Sequence, residues 1–305
     1  MRTSHSLIFT SIALCVVLGL ASAQSGGTSG SGDDTPTFYG DGWDGPGQNA
    51  TTVYFHFVNA LDYRGREQRE AMIAVLEDWA GVVQIHFVET PIAHANRCIE
   101  FLFASGDHCD VEPVECGAPP ECVFNGNELG RTGHAAYPPG IPTVCDGISQ
   151  EPYAGDVHLD ADESYRIYNN QNGYSLWLVT AHNVGHALGL ADGVGYIMDP
   201  NITWGSFYVP PVGSDAAQIL HGYAAGEGSV TRLEDSGIWV NNTWQGAELG
   251  TPGNPFNSLA HGVGGVPPFG EDVPIHVLGG LYPENITITK PCMITAEFGT
   301  AYIGQ

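Results

Sequence analysis

The sequence predicts an α/β fold followed by a β-rich C-terminal module, and three observations carry this prediction. Residues 53–58 are rich in β-branched and aromatic side chains, which is typical of a strand. Helical spacing of four apolar residues then predicts an amphipathic helix over about 67–80: Met72, Val75, Leu76 and Trp79. After Gly226, short apolar runs broken by Gly, Pro and Asn indicate β structure.

The remaining elements follow in order along the chain. Residues 83–88 and 99–103 are two further strand candidates, so the chain opens as strand, helix, strand, strand. A second helix is expected over about 175–188, ended by Gly189, and a third over 215–223, with Ser214 as a plausible N-cap. We place a domain boundary near Glu227, and no clear internal repeat is visible.

The N-terminal residues predict export. A basic start, an apolar run and a small-x-small end over 1–23 have the order of a cleaved signal peptide. A membrane anchor is the alternative, but the run is shorter than the roughly 20 apolar residues that a span needs. Residues 24–51, which are rich in Gly, Ser, Asp and Pro, predict a flexible linker.

The charge balance excludes some classes of partner. The formal net charge is −25, from 34 acidic and 9 basic residues, which argues against nucleic acid or an anionic membrane. No later segment is apolar enough to span a membrane. An acidic surface suits calcium binding or a salty environment and does not choose between them.

The cysteines favour disulfides over a thiolate cluster. Six remain after the predicted signal, an even number in an exported chain: Cys98, Cys109, Cys116, Cys122, Cys145 and Cys292. None of them shows C-x-x-C spacing, and the pairing stays open, although Cys116 and Cys122 look easy to close.

Residues 182–192 contain three candidate metal ligands. His182 and His186 are four residues apart, so on a helix both imidazoles project from one face. Gly189 permits a sharp turn that would bring Asp192 round as a third ligand. Three N/O ligands with a vacant fourth position are typical of catalytic rather than structural zinc. Met198 follows in a segment that would form a turn beneath the metal.

These residues resemble the metzincin metallopeptidases, and the matrixins in particular, whose signature is H-E-x-x-H-x-x-G-x-x-H followed by a Met-turn. The resemblance covers about 52–226 and implies a twisted mixed sheet with three helices. It implies zinc at His182, His186 and Asp192, peptide-bond hydrolysis by a zinc-activated water, and a protein or peptide substrate. Asp192 stands where the signature has its third His.

The resemblance also implies a second zinc and a calcium ion. Carried over by position, four residues would hold the structural zinc: His108, Asp110, His134 and His158. Asp160 and Glu163 would bind calcium through carboxylate oxygens. The loop before His134 contains an insert with Cys and Pro, and the other calcium ligands of the family are not evident there.

Asn183 stands where the signature has its catalytic Glu. The family's Glu takes a proton from the zinc-bound water, and an Asn amide has no useful basicity. Two hypotheses result: a secreted zinc endopeptidase with impaired catalysis, or a zinc-bearing pseudoprotease that binds peptide without cutting it.

The C-terminal stretch 227–305 resembles the opening turns of a pectate-lyase-like right-handed parallel β-helix, with a helix-like cap at 256–263. Such a fold typically needs at least three stacked repeats, and only about one or two are present, so a small accessory β-domain is the alternative. A third function hypothesis, an adhesion or carbohydrate-binding module, would rest on this part of the chain. The sequence leaves substrate preference and oligomeric state open.

Overall fold

The computed structural model describes residues 38–59, 65–93, 95–105, 133–135, 137–141, 154–167, 171–193, 197–199, 219–267 and 273–304. Residues 34–305 belong to one compact unit.

The larger part of the fold is a six-stranded mixed sheet. Its strands are β1 Thr51–Phe57, β2 Ile85–Glu89, β3 Cys98–Ala104, β4 Gly133–Ala135, β5 Val157–Asp160 and β8 Ser229–Thr231. They lie in the order β4-β5-β3-β1-β2-β8, in which only the β4–β5 pair is antiparallel. Strands β6, Tyr165–Arg166, and β7, Tyr174–Ser175, form a separate parallel pair. The three strands predicted over 53–103 are thus observed, with ends shifted by one or two residues.

Two helices pack together beside this sheet. Helix α1 spans Gly65–Ala80 and helix α2 spans Leu176–Ala187, close to the predicted bounds. The hydroxyl of Ser175 caps α2 by accepting a hydrogen bond from Leu178 N. Trp79 of α1 is fully buried, and its Nε1 donates to Ala181 O of α2 at 3.2 Å. The two helices and the sheet therefore share one hydrophobic core.

The linker prediction is wrong for residues 38–50. Trp43 is only 2% exposed and belongs to the main core cluster, because its indole packs against Gly155 and donates to a carbonyl of α2. Gln48 Nε2 also donates to Leu220 O, at 2.6 Å. The segment is rich in Gly and Asp, but these aromatic and hydrogen-bonding contacts hold it against the core. Residues 1–37, including the predicted signal, lie outside the described residues.

The C-terminal module contains a second, wholly parallel sheet. Its order is β11-β10-β9, formed by β9 Ile238–Val240, β10 Pro274–Tyr282 and β11 Met293–Ile303. Two short helices, α3 Leu233–Ser236 and α4 Leu259–Gly264, accompany it, and α4 falls on the predicted cap. Its buried side chains form a cluster of their own. The β-helix remains a prediction, since three parallel strands are also compatible with an accessory domain.

The predicted boundary near Glu227 does not separate the two sheets. Strand β8 lies beyond that boundary and pairs with β2, so it completes the larger sheet. Thr90, next to β2, donates through its hydroxyl to Leu249 O at 2.7 Å. The module is therefore docked along the end of β2.

The predicted disulfides and the predicted third helix are each tested only in part by the described residues. Cys292 is a free, half-buried cysteine, contrary to the disulfide prediction. Cys98 is buried, and its Sγ lies 3.9 Å from Ile99 O. The other four cysteines of the predicted set lie outside the described residues, as do residues 215–218 of the predicted helix 215–223. Of its remaining residues only Ile219 is helical, and 220–222 form a turn, so the predicted end of this helix at 223 is wrong. Among the helices that the structure describes, none is long and apolar enough to cross a membrane.

Candidate metal centre

Helix α2 presents two imidazoles from adjacent turns. His182 and His186 are one helical turn apart, and their Nε2 atoms lie 3.1 Å from each other. His182 is 7% exposed, and the side chain of His186 is partly buried at 16% exposure.

The chain turns back directly after this helix. Gly189 adopts φ +108°, a conformation that residues with a side chain rarely adopt, and the chain then continues past the histidine rings. Asp192 Oδ1 lies 3.5 Å from His182 Nε2 and 3.4 Å from His186 Nε2. Within the described part of the chain, this trio is the one cluster of three His, Cys, Asp or Glu side chains close enough to hold an ion.

The spacing of the trio fits zinc. With bond lengths of about 2.0–2.1 Å, ligand atoms around a tetrahedral ion lie about 3.3–3.4 Å apart. The three observed separations, 3.1, 3.4 and 3.5 Å, bracket that value. Two imidazole nitrogens and one carboxylate oxygen are also donor types that zinc accepts.

Backbone carbonyls orient both rings. His182 Nδ1 lies 2.9 Å from Ile197 O, and His186 Nδ1 lies 2.7 Å from Leu190 O. In each ring Nδ1 therefore carries the proton, which leaves the lone pair of Nε2 directed at the metal position. Burial and the neighbouring His186 ring lower the pKa of His182, which keeps this imidazole neutral and ready to bind a cation.

Met198 lies beneath the two histidines. A Cβ atom added at Gly185 would lie 2.3 Å from Met198 Sδ, so the glycine between the ligands allows this close approach. Gly193 N donates to Met198 O at 2.8 Å, which links the segment after Asp192 to the Met-containing turn. Met198 is fully buried.

Asn183 is buried beside the trio at 3% exposure. Its Nδ2 donates to Val179 O, four residues earlier in α2, at 2.8 Å. The side-chain amide is therefore held by its own helix, and it offers no carboxylate to accept a proton.

The other predicted ligands are brought together only in part. His134 and His158 occupy opposite positions in the β4–β5 register, while His108 and Asp110 lie outside the described residues. Asp160 Oδ1 accepts from Asp162 N at 2.9 Å in the turn after β5. Partial burial and the carboxylates of Asp160 and Asp162 raise the pKa of Glu163, as expected where acidic groups crowd.

Several contacts around the site were not predicted. The ring of Tyr137 meets His186 edge-on at 5.8 Å, and Tyr39 meets Tyr137 at 5.7 Å. Ile197 and Leu190 act through backbone carbonyls, which no pattern of residue types indicates. Tyr39 and Trp43 could have been singled out in the sequence, because they are aromatic residues in an otherwise polar, glycine-rich segment.

Three known metallopeptidases are similar to this chain in sequence. Matrix metalloproteinase-16 of Homo sapiens is 33% identical over 149 residues, which cover 47% of this chain and 20% of that protein. Karilysin of Tannerella forsythia is 29% identical over 161 residues, or 52% of this chain and 28% of karilysin. Interstitial collagenase A of Mus musculus is 28% identical over 163 residues, or 52% of this chain and 29% of the collagenase.

These similar regions thus span less than a third of each relative. The matrixin family model matches residues 47–223, a segment that begins before β1, contains the whole metal centre and ends at Tyr223. Because this match covers more than half of the sequence, the chain belongs to the matrixin family.

Proposed function

We propose that this chain is a secreted, zinc-dependent metalloendopeptidase-like protein whose peptide hydrolysis is impaired by Asn183. The observation that carries the proposal is the convergence of His182, His186 and Asp192 at zinc-like separations, with Asn183 next to the first ligand. Membership of the matrixin family supports protein or peptide as the ligand.

Each residue of the site would have a distinct role in holding zinc or in positioning its ligands. His182, His186 and Asp192 would hold zinc, which supplies Lewis acidity toward a peptide carbonyl and a bound water. Ile197 O and Leu190 O hold the two rings in the tautomer that presents Nε2. Met198 supports α2 from below, at Gly185.

The missing part is a proton acceptor. A general base contributes about 10²–10⁴-fold to a rate. Asn183 cannot take this role, and its Nδ2 is already bonded to Val179 O. Zinc binding should be unaffected, since the residue at this position is not a ligand.

An alternative is a pseudoprotease that binds peptide and never cuts it. The Asn183–Val179 hydrogen bond favours it, because the side chain serves its own helix rather than the site. The two functions share one zinc centre and differ in whether any product forms.

We further propose a structural zinc and a calcium ion. The facing positions of His134 and His158 and the carboxylates of Asp160 and Glu163 support these two ions. Export is supported by the order of residue types over 1–23.

The test is cleavage of an unfolded protein by the zinc-loaded chain, with a His186→Ala variant and a chelator as controls. Slow cleavage that both controls abolish would support an impaired endopeptidase. Zinc-dependent retention of peptide without product would favour the pseudoprotease. Cleavage that persists in His186→Ala would contradict both functions, because it could not depend on this centre.

A further inference from the structure

The turn between the second histidine and Asp192 is held from outside α2. Ala187, the last residue of α2, and the next two residues have carbonyls that lack the usual intrahelical amide partner. Trp43 Nε1 donates to Ala187 O at 2.7 Å. Tyr223 Oη donates to Leu188 O at 2.9 Å, and Tyr39 N donates to Gly189 O at 2.8 Å.

Two of these three donors are bonded to each other, and Tyr39 is linked to them through its neighbour Phe38. Trp43 N donates to Tyr223 Oη at 3.1 Å, so the hydroxyl that holds Leu188 O is itself held. Phe38 forms an isolated antiparallel bridge with Leu190 and meets the Tyr223 ring edge-on at 5.8 Å. We call Tyr39, Trp43 and Tyr223 the clasp.

The clasp is bonded to the segment that supplies two parts of the metal centre. Leu190 O receives the Nδ1–H of His186, and Asp192 follows two residues later. Asp192 is 53% exposed and has little packing of its own to hold it in place. Its position depends on the backbone on both sides: Gly193 after it is bonded to Met198 O, and the stretch from Ala187 to Gly189 before it is bonded to the clasp.

We propose that the clasp orders the turn between His186 and Asp192, and that Trp43 and Tyr223 are positioning residues for the metal centre. A ligand held in place before the ion arrives loses less conformational freedom on binding, so the affinity is higher. The inference rests on the proposed function, since it assumes that this trio binds zinc.

The test compares the zinc affinity of two variants with that of the natural chain. Trp43→Phe removes the indole N–H but keeps an aromatic ring, and Tyr223→Phe removes only the hydroxyl. Loss of a hydrogen bond that supports metal ligands typically costs about 10–100-fold in metal affinity, and we expect at least about tenfold weaker zinc binding in each variant. Affinity is read by competition with a chromophoric zinc chelator, on protein shown to be folded, for the zinc that His186→Ala no longer binds and that therefore belongs to this trio.

Tyr282→Phe is the matched control. Tyr282 is fully buried, like Tyr223, and its Oη also donates to a backbone carbonyl at 2.9 Å, that of Leu278 in β10. Strand β10 belongs to the sheet that does not contain the metal centre, so this variant should lose stability while its zinc affinity stays unchanged.

Each outcome is decisive. Weaker zinc binding in Trp43→Phe and Tyr223→Phe, with no weakening in Tyr282→Phe, supports the clasp. Unchanged affinity in the two clasp variants, or equal weakening in all three, overturns it. If Trp43→Phe does not fold, Tyr223→Phe decides alone. A natural chain that binds no more zinc than His186→Ala would instead overturn the proposed function, and the comparison separates the two failures.

Discussion

At the scale of single residues, Gly185 shows how the metal centre depends on close packing. It lies between the two histidines, and a Cβ there would overlap Met198 Sδ at 2.3 Å and approach the ring of Trp79 at 3.4 Å. Real Cβ atoms do not tolerate the first of these distances, so a side chain at 185 must push aside the fully buried thioether of Met198. Ile197 O, one residue before Met198, orients His182, so we expect this overpacking to reach the site.

We therefore expect Gly185→Ala to destabilise the fold by about 1–3 kcal/mol through overpacking, and to weaken zinc binding as well. Gly264→Ala is the control, because Gly264 is also helical and a Cβ there meets nothing within 4 Å. That variant should be neutral or more stable by up to about 1 kcal/mol. Urea denaturation of both proteins checks the prediction, and equal effects of the two substitutions would contradict it.

The geometry of the trio could be predicted because it is local in sequence. The pair His182 and His186, the turn at Gly189 and the approach of Asp192 all follow from helical spacing and glycine conformation. Ile197 O could not be predicted, because it approaches His182 from another segment through a backbone atom. No residue type reports such a contact.

At the scale of elements, a buried ion pair ties α1 to β2 and to α3. Arg69 is 3% exposed, and its guanidinium binds Glu89, which is 2% exposed, with Nε 3.2 Å from Glu89 Oε1. Arg69 also binds Glu234 of α3, with Nη1 2.7 Å from Glu234 Oε1. Burial raises the pKa of Glu89 while the charge of Arg69 opposes this, so the carboxylate depends on its partner.

Arg69→Met should therefore cost about 3–5 kcal/mol, because it leaves a buried carboxylate without its counter-charge. Arg232→Met is the comparison: Arg232 pairs with Glu70 and Glu77, which are 46% and 50% exposed, and its loss should cost about 0–1 kcal/mol. The free energy of unfolding of each variant measures the difference. A cost for Arg69→Met as small as that for Arg232→Met would contradict the account.

The elements themselves were largely predictable. Helix α1 follows from apolar spacing, the end of α2 follows from Gly189, and β1 to β3 follow from short apolar runs, with β-branched and aromatic enrichment in β1. The pairing of β8 with β2 was missed, because Ser229–Thr231 is a three-residue strand with no apolar pattern of its own. Its position is set by long-range backbone pairing.

At the scale of the whole molecule, the C-terminal module is part of the same structure as the metal centre. Beyond residue 226 the chain first completes the larger sheet with β8, then contributes Glu234 to the Arg69 ion pair. Leu233 N donates to Glu89 Oε2 at 2.9 Å. A change in composition marked the boundary in the sequence, but composition does not report which contacts cross it.

A chain that ends at residue 226 should therefore be less stable than the full chain. Loss of the Glu234 contact and of β8 would cost at least about 3 kcal/mol, which at about 2–4 °C per kcal/mol lowers Tm by roughly 6–12 °C. Scanning calorimetry should show one transition for the full chain. An unchanged Tm in the shortened chain would mean that the two parts are independent.

The central claim is that an intact zinc centre lacks its proton acceptor, and one rate comparison tests it most directly. Cleavage of an unfolded protein is measured for the natural chain, Asn183→Glu and Asn183→Gln at equal zinc content. Gln matches Glu in shape but not in basicity. We predict a rise of about 10²–10⁴-fold for Asn183→Glu and none for Asn183→Gln. A natural chain that already cuts as fast as Asn183→Glu would contradict the claim.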